Sequence, residues 1–176
     1  PPDVIAAALQ GGVDVAILIG VNPVYDWPGG GFEALLARAQ LSVGCDLLAT
    51  ETLAACHLAL PDAHNLEAWN DAQPRPGFAT LCQPVIRPLY QSRQAAESLL
   101  RWTRALEGEG SELAQVADWH GFVKRRWQRD VLGDDGESAW ENALRRGIHA
   151  IESGASFPDL ARAKAAQLGE VRSPAT

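Results

Sequence analysis

The sequence predicts an α/β fold in which a parallel sheet comes first and helices follow it. The first observation is an apolar, β-branched run at residues 15–19, which indicates a strand buried on both faces. The second is another apolar run at residues 41–48, and a short amphipathic helix separates the two. The third is the helical periodicity from Ser92 onward. The expected class is therefore α/β, a Rossmann-like parallel sheet segment with a helical C-terminal third.

Polar side chains follow the first two predicted strands. Gly20, Asn22 and Pro23 come directly after the first strand, and Pro23 holds Asn22 in an extended conformation. Thr50, Glu51 and Thr52 follow the second strand. A right-handed crossover through the helix at residues 32–40 places both strand ends side by side, at the edge where α/β sheets bind ligands. We therefore expect Asn22 and residues 50–52 to line one crevice.

A third, short strand is expected at residues 57–60, parallel to the first two. Five potential metal ligands lie in or just after it: His57, Asp62, His64, Glu67 and Asp71. Their spacing matches neither a zinc finger nor the HExxH motif. The alternative interpretation, which we favour, is that these polar residues form hydrogen bonds to the backbone of the turn and loop.

Composition excludes several classes of protein. The chain has 176 residues, 47% of them hydrophobic, and no apolar run approaches the length of a membrane span. A net charge of -7 argues against a nucleic-acid partner. No Cys-x-x-Cys motif is present, so Cys45, Cys56 and Cys82 are expected to be buried free thiols rather than zinc or cluster ligands.

The remaining sequence predicts mostly helices. Residues 78–86 are apolar, but Pro84 and Pro88 indicate an edge strand or an extended loop. Helices are expected over residues 92–106 and 138–151, and an aromatic cluster is expected from Trp119, Trp127 and Trp140. The basic run at residues 124–129 is interpreted as a solvated helix face.

Three regions are expected along the chain. They are a partial α/β region at residues 1–108, a helical extension at 109–153, and a linker or peripheral segment at 154–176. Because the chain begins with Pro1-Pro2 shortly before the first strand, we expect it to be a segment of a longer polypeptide. One edge of its sheet would then lie open, and the segment alone would be unstable.

Three stretches carry a family resemblance. Residues 13–25, 42–71 and 83–102 are similar to the molybdopterin oxidoreductase superfamily, through Gly-x-Asn-Pro after a strand and Thr-Glu-Thr before a Leu-Pro strand. The closer resemblance is to the molybdopterin-oxidoreductase-like region in the large iron–sulfur subunit of alternative complex III, through Asn22-Pro23-Val24-Tyr25, Leu60-Pro61 with His64 and residues 66–71, and the stretch from Gln83 to Tyr90. The similarity covers roughly residues 10 to 150.

The resemblance implies a function. In cofactor-binding relatives, the positions of Gly20, Asn22, Pro23 and residues 50–52 border the guanine nucleotide of molybdopterin guanine dinucleotide. The alternative complex III branch implies instead a structural region without its own molybdenum cofactor. That region would belong to an electron-transfer subunit of a membrane-associated, quinol-oxidising respiratory complex. No catalytic residue and no metal ligand is expected here. The alternatives are a cofactor-binding segment of an active molybdenum oxidoreductase and an unrelated Rossmann-like small-ligand domain.

The branch also implies a cellular setting. Iron–sulfur clusters would lie elsewhere in the parent protein. The partners would be other domains of the same parent chain and membrane and haem-bearing subunits, with no nucleic acid. The location would be the periplasmic side of a bacterial cell envelope, with membrane association through those subunits.

Two aromatic residues determine whether the crevice is open. Tyr25 and Trp27 lie just beyond Asn22-Pro23. They either fold over the crevice and fill it, or pack against a neighbouring domain. In a filled crevice, Asn22 would keep a structural role as a hydrogen-bond partner of the loop backbone.

Overall fold

The protein is a mixed α/β structure that divides into two compact units. The computed structural model describes residues 10–108, 110, 112–133 and 136–151. The described part of the first unit comprises residues 10–62 and 91–93, and that of the second comprises the rest. The helices of the described residues include none that is both long and apolar enough to cross a membrane.

The first unit contains a three-stranded parallel sheet in the order β1-β2-β3. Its strands are β1 (Val15–Ile19), β2 (Leu41–Asp46) and β3 (Leu58–Pro61). In the register of the sheet, Ile17 lies beside Val43, and Val43 lies beside Leu58. The helices are α1 (Pro23–Asp26), α2 (Phe32–Arg38) and α3 (Glu51–Ala55). The predicted parallel arrangement and the crossover through α2 are therefore confirmed.

Two local features fix the helices of this unit. Gly31 adopts a left-handed conformation (φ 76°) at the start of α2, and the apolar face of α2 buries Leu35 and Leu36. Gly44, in the middle of β2, lies directly against α3. A Cβ atom at Gly44 would be 2.6 Å from Leu53 Cδ1 and 3.2 Å from Cys56 Sγ. The missing side chain thus allows α3 to pack closely on the sheet.

The interpretation of β1 as a strand buried on both faces is wrong within the described residues. Val15, Ile17 and Ile19 are all exposed, whereas Val43 and Cys45, the β2 neighbours of Ile17 and Ile19, are buried. The physical reason is position, because β1 is an edge strand and pairs only with β2 in the described sheet.

The second unit contains a three-stranded antiparallel sheet in the order β4-β5-β6. Its strands are β4 (Asn70–Arg75), β5 (Phe78–Cys82) and β6 (Ile148–Ala150). The helices are α4 (Ala95–Glu107), α5 (Trp119–Trp127) and α6 (Gly136–Arg146). Short 3₁₀ turns lie at Asn65–Glu67 and Glu112–Gln115, and a π-helical turn at Gln128–Leu132 continues α5.

Two expectations for this region are wrong, and one strand was not expected. Residues 78–82 form the central strand of the second sheet rather than an edge strand or loop. The predicted helix at 138–151 ends at Arg146, because Gly147 (φ 67°) turns the chain into β6. The C-terminal third is therefore not entirely helical. Strand β4 was not predicted, since its sequence is polar and contains a proline.

The core of the second unit is built around tryptophan. Trp127 is fully buried and Trp140 nearly so, and their ring centroids lie 6.4 Å apart. Trp119 packs against the same cluster, as predicted, and so does Trp69, which the sequence analysis did not include. Ala79 and Leu81 of β5 and Val123 of α5 complete the contact between sheet and helices.

The expectations for the cysteines, the basic run and the region boundaries have different outcomes. Cys45 is buried as predicted, but Cys56 is half-buried and Cys82 exposed. Within the basic run, Lys124 pairs with Glu137 and Arg129 with Asp130. The region boundaries at residues 108 and 153 stay predictions, and residues 154–176 lie outside the described residues.

Candidate functional site

The structure brings together the polar residues that follow β1 and β2. Asn22 Nδ2 donates a hydrogen bond to Glu51 Oε2 at 2.8 Å. Asn22 Oδ1 accepts two, from Thr52 N at 3.1 Å and from Thr52 Oγ1 at 2.7 Å. The predicted convergence of Asn22 with Glu51 and Thr52 at the carboxyl edge of the sheet is therefore confirmed. We call these three residues the Asn22 cluster.

Local sequence explains how Asn22 is placed. Gly20 (φ 59°) ends β1 in a left-handed conformation while its N–H still donates to Cys45 O at 2.9 Å. Pro23 then opens α1, where its missing N–H costs no hydrogen bond. The carbonyl of Asn22 accepts from the backbone N–H of Tyr25 and of Asp26. The Asn22 side chain is therefore held beside α3 by its own turn.

Residues 50–52 have three different roles. Thr50 is the N-cap of α3, and its Oγ1 accepts from Leu53 N at 3.2 Å, so its hydroxyl serves the helix. Glu51 is exposed and contacts Asn22. Thr52 is buried, and its Oγ1 also accepts from Val24 N at 3.0 Å. Thr52 thereby connects the start of α3 to the loop after β1.

The electrostatics of the cluster follow from these bonds. The hydrogen bond from Asn22, with a smaller contribution from the backbone, lowers the pKa of the Glu51 carboxyl. A lowered pKa in the folded state means that ionised Glu51 stabilises the fold above the pKa of the unfolded chain. That contribution is lost as the pH falls through the lower, folded-state value.

We expect an NMR titration of the Glu51 carboxyl carbon to give a pKa below the ordinary glutamate value of about 4.3. In the Asn22→Ala variant, the pKa should return towards that value, because the main stabilising donor is gone. An unchanged Glu51 pKa in Asn22→Ala would contradict the proposed cause.

In this arrangement, most polar groups of the Asn22 cluster that could bind the guanine nucleotide of molybdopterin guanine dinucleotide are hydrogen-bonded within the protein. A nucleotide edge needs convergent donors and acceptors that are free to bind it. Both bonds accepted by Asn22 Oδ1 come from Thr52, one amide proton of Asn22 goes to Glu51, and Thr50 caps its own helix. These groups already form hydrogen bonds within the protein.

The aromatic residues beyond Asn22 do not fill the crevice as one alternative expected. Tyr25 is exposed. Trp27 packs instead against Phe32, with ring centroids 5.9 Å apart. These two rings border an open, mainly apolar depression of about 660 Å³ beside β1, which also includes Ile17 and Val21.

Polar residues of the stretch 57–71 bond within the protein. His57 and Ser42 form a reciprocal pair, in which Ser42 N donates to His57 Nδ1 at 3.0 Å and His57 N donates to Ser42 Oγ at 2.9 Å. His64 Nδ1 accepts from Leu66 N, and Glu67 Oε2 accepts from His64 N. The predicted bonding to the backbone is confirmed for His64 and Glu67.

The side chain of Asp71, another of the potential metal ligands, is also bonded within the protein. Asp71 Oδ2 accepts from the indole N–H of Trp127 at 2.9 Å. Among the described residues, no group of three or more His, Cys, Asp or Glu side chains is placed to hold a metal ion.

Sequence reasoning offered a structural role for Asn22 only in a filled crevice, and it did not identify Glu51 and Thr52 as its hydrogen-bond partners. The signal was present in part, because Thr50 precedes Glu51-Thr52 in the pattern of a helix N-cap. In comparisons with known proteins, no protein-family model and no curated protein matches the chain.

Proposed function

We propose that this chain is a structural region, with a Rossmann-like sheet, of an electron-transfer subunit in a membrane-associated, quinol-oxidising respiratory complex. This proposal is supported by a resemblance to the molybdopterin-oxidoreductase-like region of alternative complex III, carried by residues 22–25, by Leu60-Pro61 with His64 and residues 66–71, and by residues 83–90. The parallel order β1-β2-β3 is compatible with such a sheet. Its partners are other domains of the parent chain and membrane and haem-bearing subunits, on the periplasmic side of the cell envelope.

One observation supports a structural rather than a cofactor-binding role. The Asn22 side chain forms three hydrogen bonds within the chain, to Glu51 and Thr52. Together with the bond from Val24 N to Thr52 Oγ1, these bonds join the loop after β1 to the first turn of α3. In this role, Asn22, Glu51 and Thr52 stabilise the edge of the sheet, and the region carries no molybdenum cofactor.

The substitution Asn22→Ala tests this role. We expect the free energy of unfolding to fall by about 1 to 3 kcal/mol, because Thr52 N–H and the buried Thr52 hydroxyl lose their acceptor. Denaturant unfolding measures this change. Gln40→Ala is the matched control, since the Gln40 side chain bonds Asp14 at an exposed site and its loss should cost less than about 0.5 kcal/mol.

Metal and nucleotide analysis of the native protein that contains this chain completes the test. We expect neither molybdenum nor guanine nucleotide in proportion to the chain, before or after Asn22→Ala. The convergence of Asn22, Glu51 and Thr52 at the carboxyl edge of the sheet favours one other candidate, the cofactor-binding segment of an active molybdenum oxidoreductase. Bound molybdenum with guanine nucleotide that is lost in Asn22→Ala would establish that alternative and overturn the structural role.

A further inference from the structure

A loop of the second unit exposes large apolar side chains. Residues 84–90 follow β5 and have the sequence PVIRPLY; we call them the apolar loop. Val85 is 73% exposed, Leu89 71% and Tyr90 82%. Ile86 and the neighbouring Leu66 are also exposed. Single exposed apolar residues are ordinary on a protein surface, but several within one short loop indicate a binding surface.

The backbone of the apolar loop is fixed by hydrogen bonds. Val85 N and Ile86 N both donate to Leu66 O, at 2.7 and 3.1 Å. Leu89 N donates to Glu67 Oε1 at 3.0 Å, while the other carboxylate oxygen of Glu67 accepts from His64 N. The loop is therefore held on the turn at residues 64–67, and its apolar side chains project from an ordered backbone.

The sequence that contains the loop differs in charge from the chain as a whole. The chain has a net charge of -7, yet residues 72–96 contain no Asp or Glu. Arg87 lies within the apolar loop and forms no ion pair with any described residue. Glu67, the acidic residue that contacts the loop, has both oxygens bonded to backbone N–H groups. Arg87 is exposed, so it is the group within the loop that can pair with an anionic partner.

We propose that the apolar loop docks on an anionic lipid surface. Side chains that are more than two-thirds exposed have few protein neighbours, and a bilayer accepts projecting apolar groups without a matching pocket. Tyrosine favours the membrane interface, where its ring is apolar and its hydroxyl is hydrated. Arg87 would interact with anionic headgroups. This proposal concerns a different site from the Asn22 cluster and stands independently of the proposed function.

Vesicle flotation of the full chain tests the docking. We expect the chain to float with vesicles of phosphatidylcholine and phosphatidylglycerol, and less with phosphatidylcholine alone. Aggregates sediment in this assay and are thereby separated from bound protein. The double variant Leu89→Ser/Tyr90→Ser should lower the partition coefficient roughly tenfold or more, because the apolar groups that enter the interface are removed. Arg87→Gln should lower binding to the anionic vesicles roughly fivefold and leave binding to phosphatidylcholine unchanged.

Leu106→Ser is the matched control, because Leu106 is 88% exposed on α4 of the same unit but lies outside the apolar loop. Circular dichroism should show that all variants keep the wild-type fold, as expected for exposed positions. The proposal is overturned if the wild-type chain floats with neither vesicle, if the double variant floats as well as wild type, or if Leu106→Ser has an equal effect. If the chain does not float but still associates with protein through the apolar loop, the loop binds a protein partner instead.

Discussion

Replacing Trp127 with Ala is expected to lower the free energy of unfolding by about 3 to 5 kcal/mol, as for other fully buried aromatic residues. Trp127 is fully buried in the core of the second unit, with Trp140 at its edge. Its indole N–H donates to Asp71 Oδ2 at 2.9 Å, and the Asp71 side chain is only 7% exposed. The substitution therefore creates a cavity and also removes a hydrogen bond from a nearly buried carboxylate.

Denaturant unfolding of three variants separates these contributions. Trp127→Phe keeps most of the ring and removes the indole N–H, so we expect a smaller loss of about 1 to 3 kcal/mol. Leu106→Ala, at a highly exposed position of the same unit, should change the free energy of unfolding by less than about 0.5 kcal/mol. A loss below about 1 kcal/mol for Trp127→Ala would show that the tryptophan core contributes little to stability.

Replacing Gly44 with Val is expected to cost about 3 kcal/mol. Even a Cβ atom at this position would lie 2.6 Å from Leu53 Cδ1, so both β2 and α3 must move to accommodate a larger side chain. Because α3 carries Glu51 and Thr52, its displacement also loosens the Asn22 cluster. The measurement is therefore twofold: the free energy of unfolding falls, and the pKa of Glu51 rises towards its ordinary value.

A second glycine provides the control for this substitution. Gly11 belongs to the same unit, has no positive φ, and a Cβ atom built on it meets nothing within 4 Å. Gly11→Val should therefore leave both the stability and the Glu51 titration close to wild type. If Gly44→Val changes stability no more than Gly11→Val does, then β2 and α3 are not tightly packed and the account of the first unit is incorrect.

The first unit was predictable because its signals are local and its handedness is constrained. Apolar runs gave β1 and β2, and the short helix between them with a right-handed crossover gave the parallel order and the position of Asn22 beside Glu51. Exposure was not predictable in the same way. The composition of β1 is that of a buried strand, but burial depends on which neighbours cover it.

The second unit depends on pairings that local sequence does not specify. Strand β4 is polar and contains Pro74, so it has no alternation that would indicate a strand, and it is formed by pairing with β5. Strand β6 has three residues and pairs with β5 across a large separation in sequence. Likewise, the Asn22 side chain has the same chemistry whether it binds a ligand or Thr52, and only the structure distinguishes these outcomes.

The π-helical turn after α5 has a consequence for the periodicity of this region. Trp127 and Leu132 are five residues apart and both are buried, although in a regular α-helix their directions would differ by about 140°. The wider turn accommodates one residue more than an α-helix would hold between these two core positions. The register of apolar positions therefore shifts by one residue within the turn, and a single helical repeat cannot describe the chain on both sides of it.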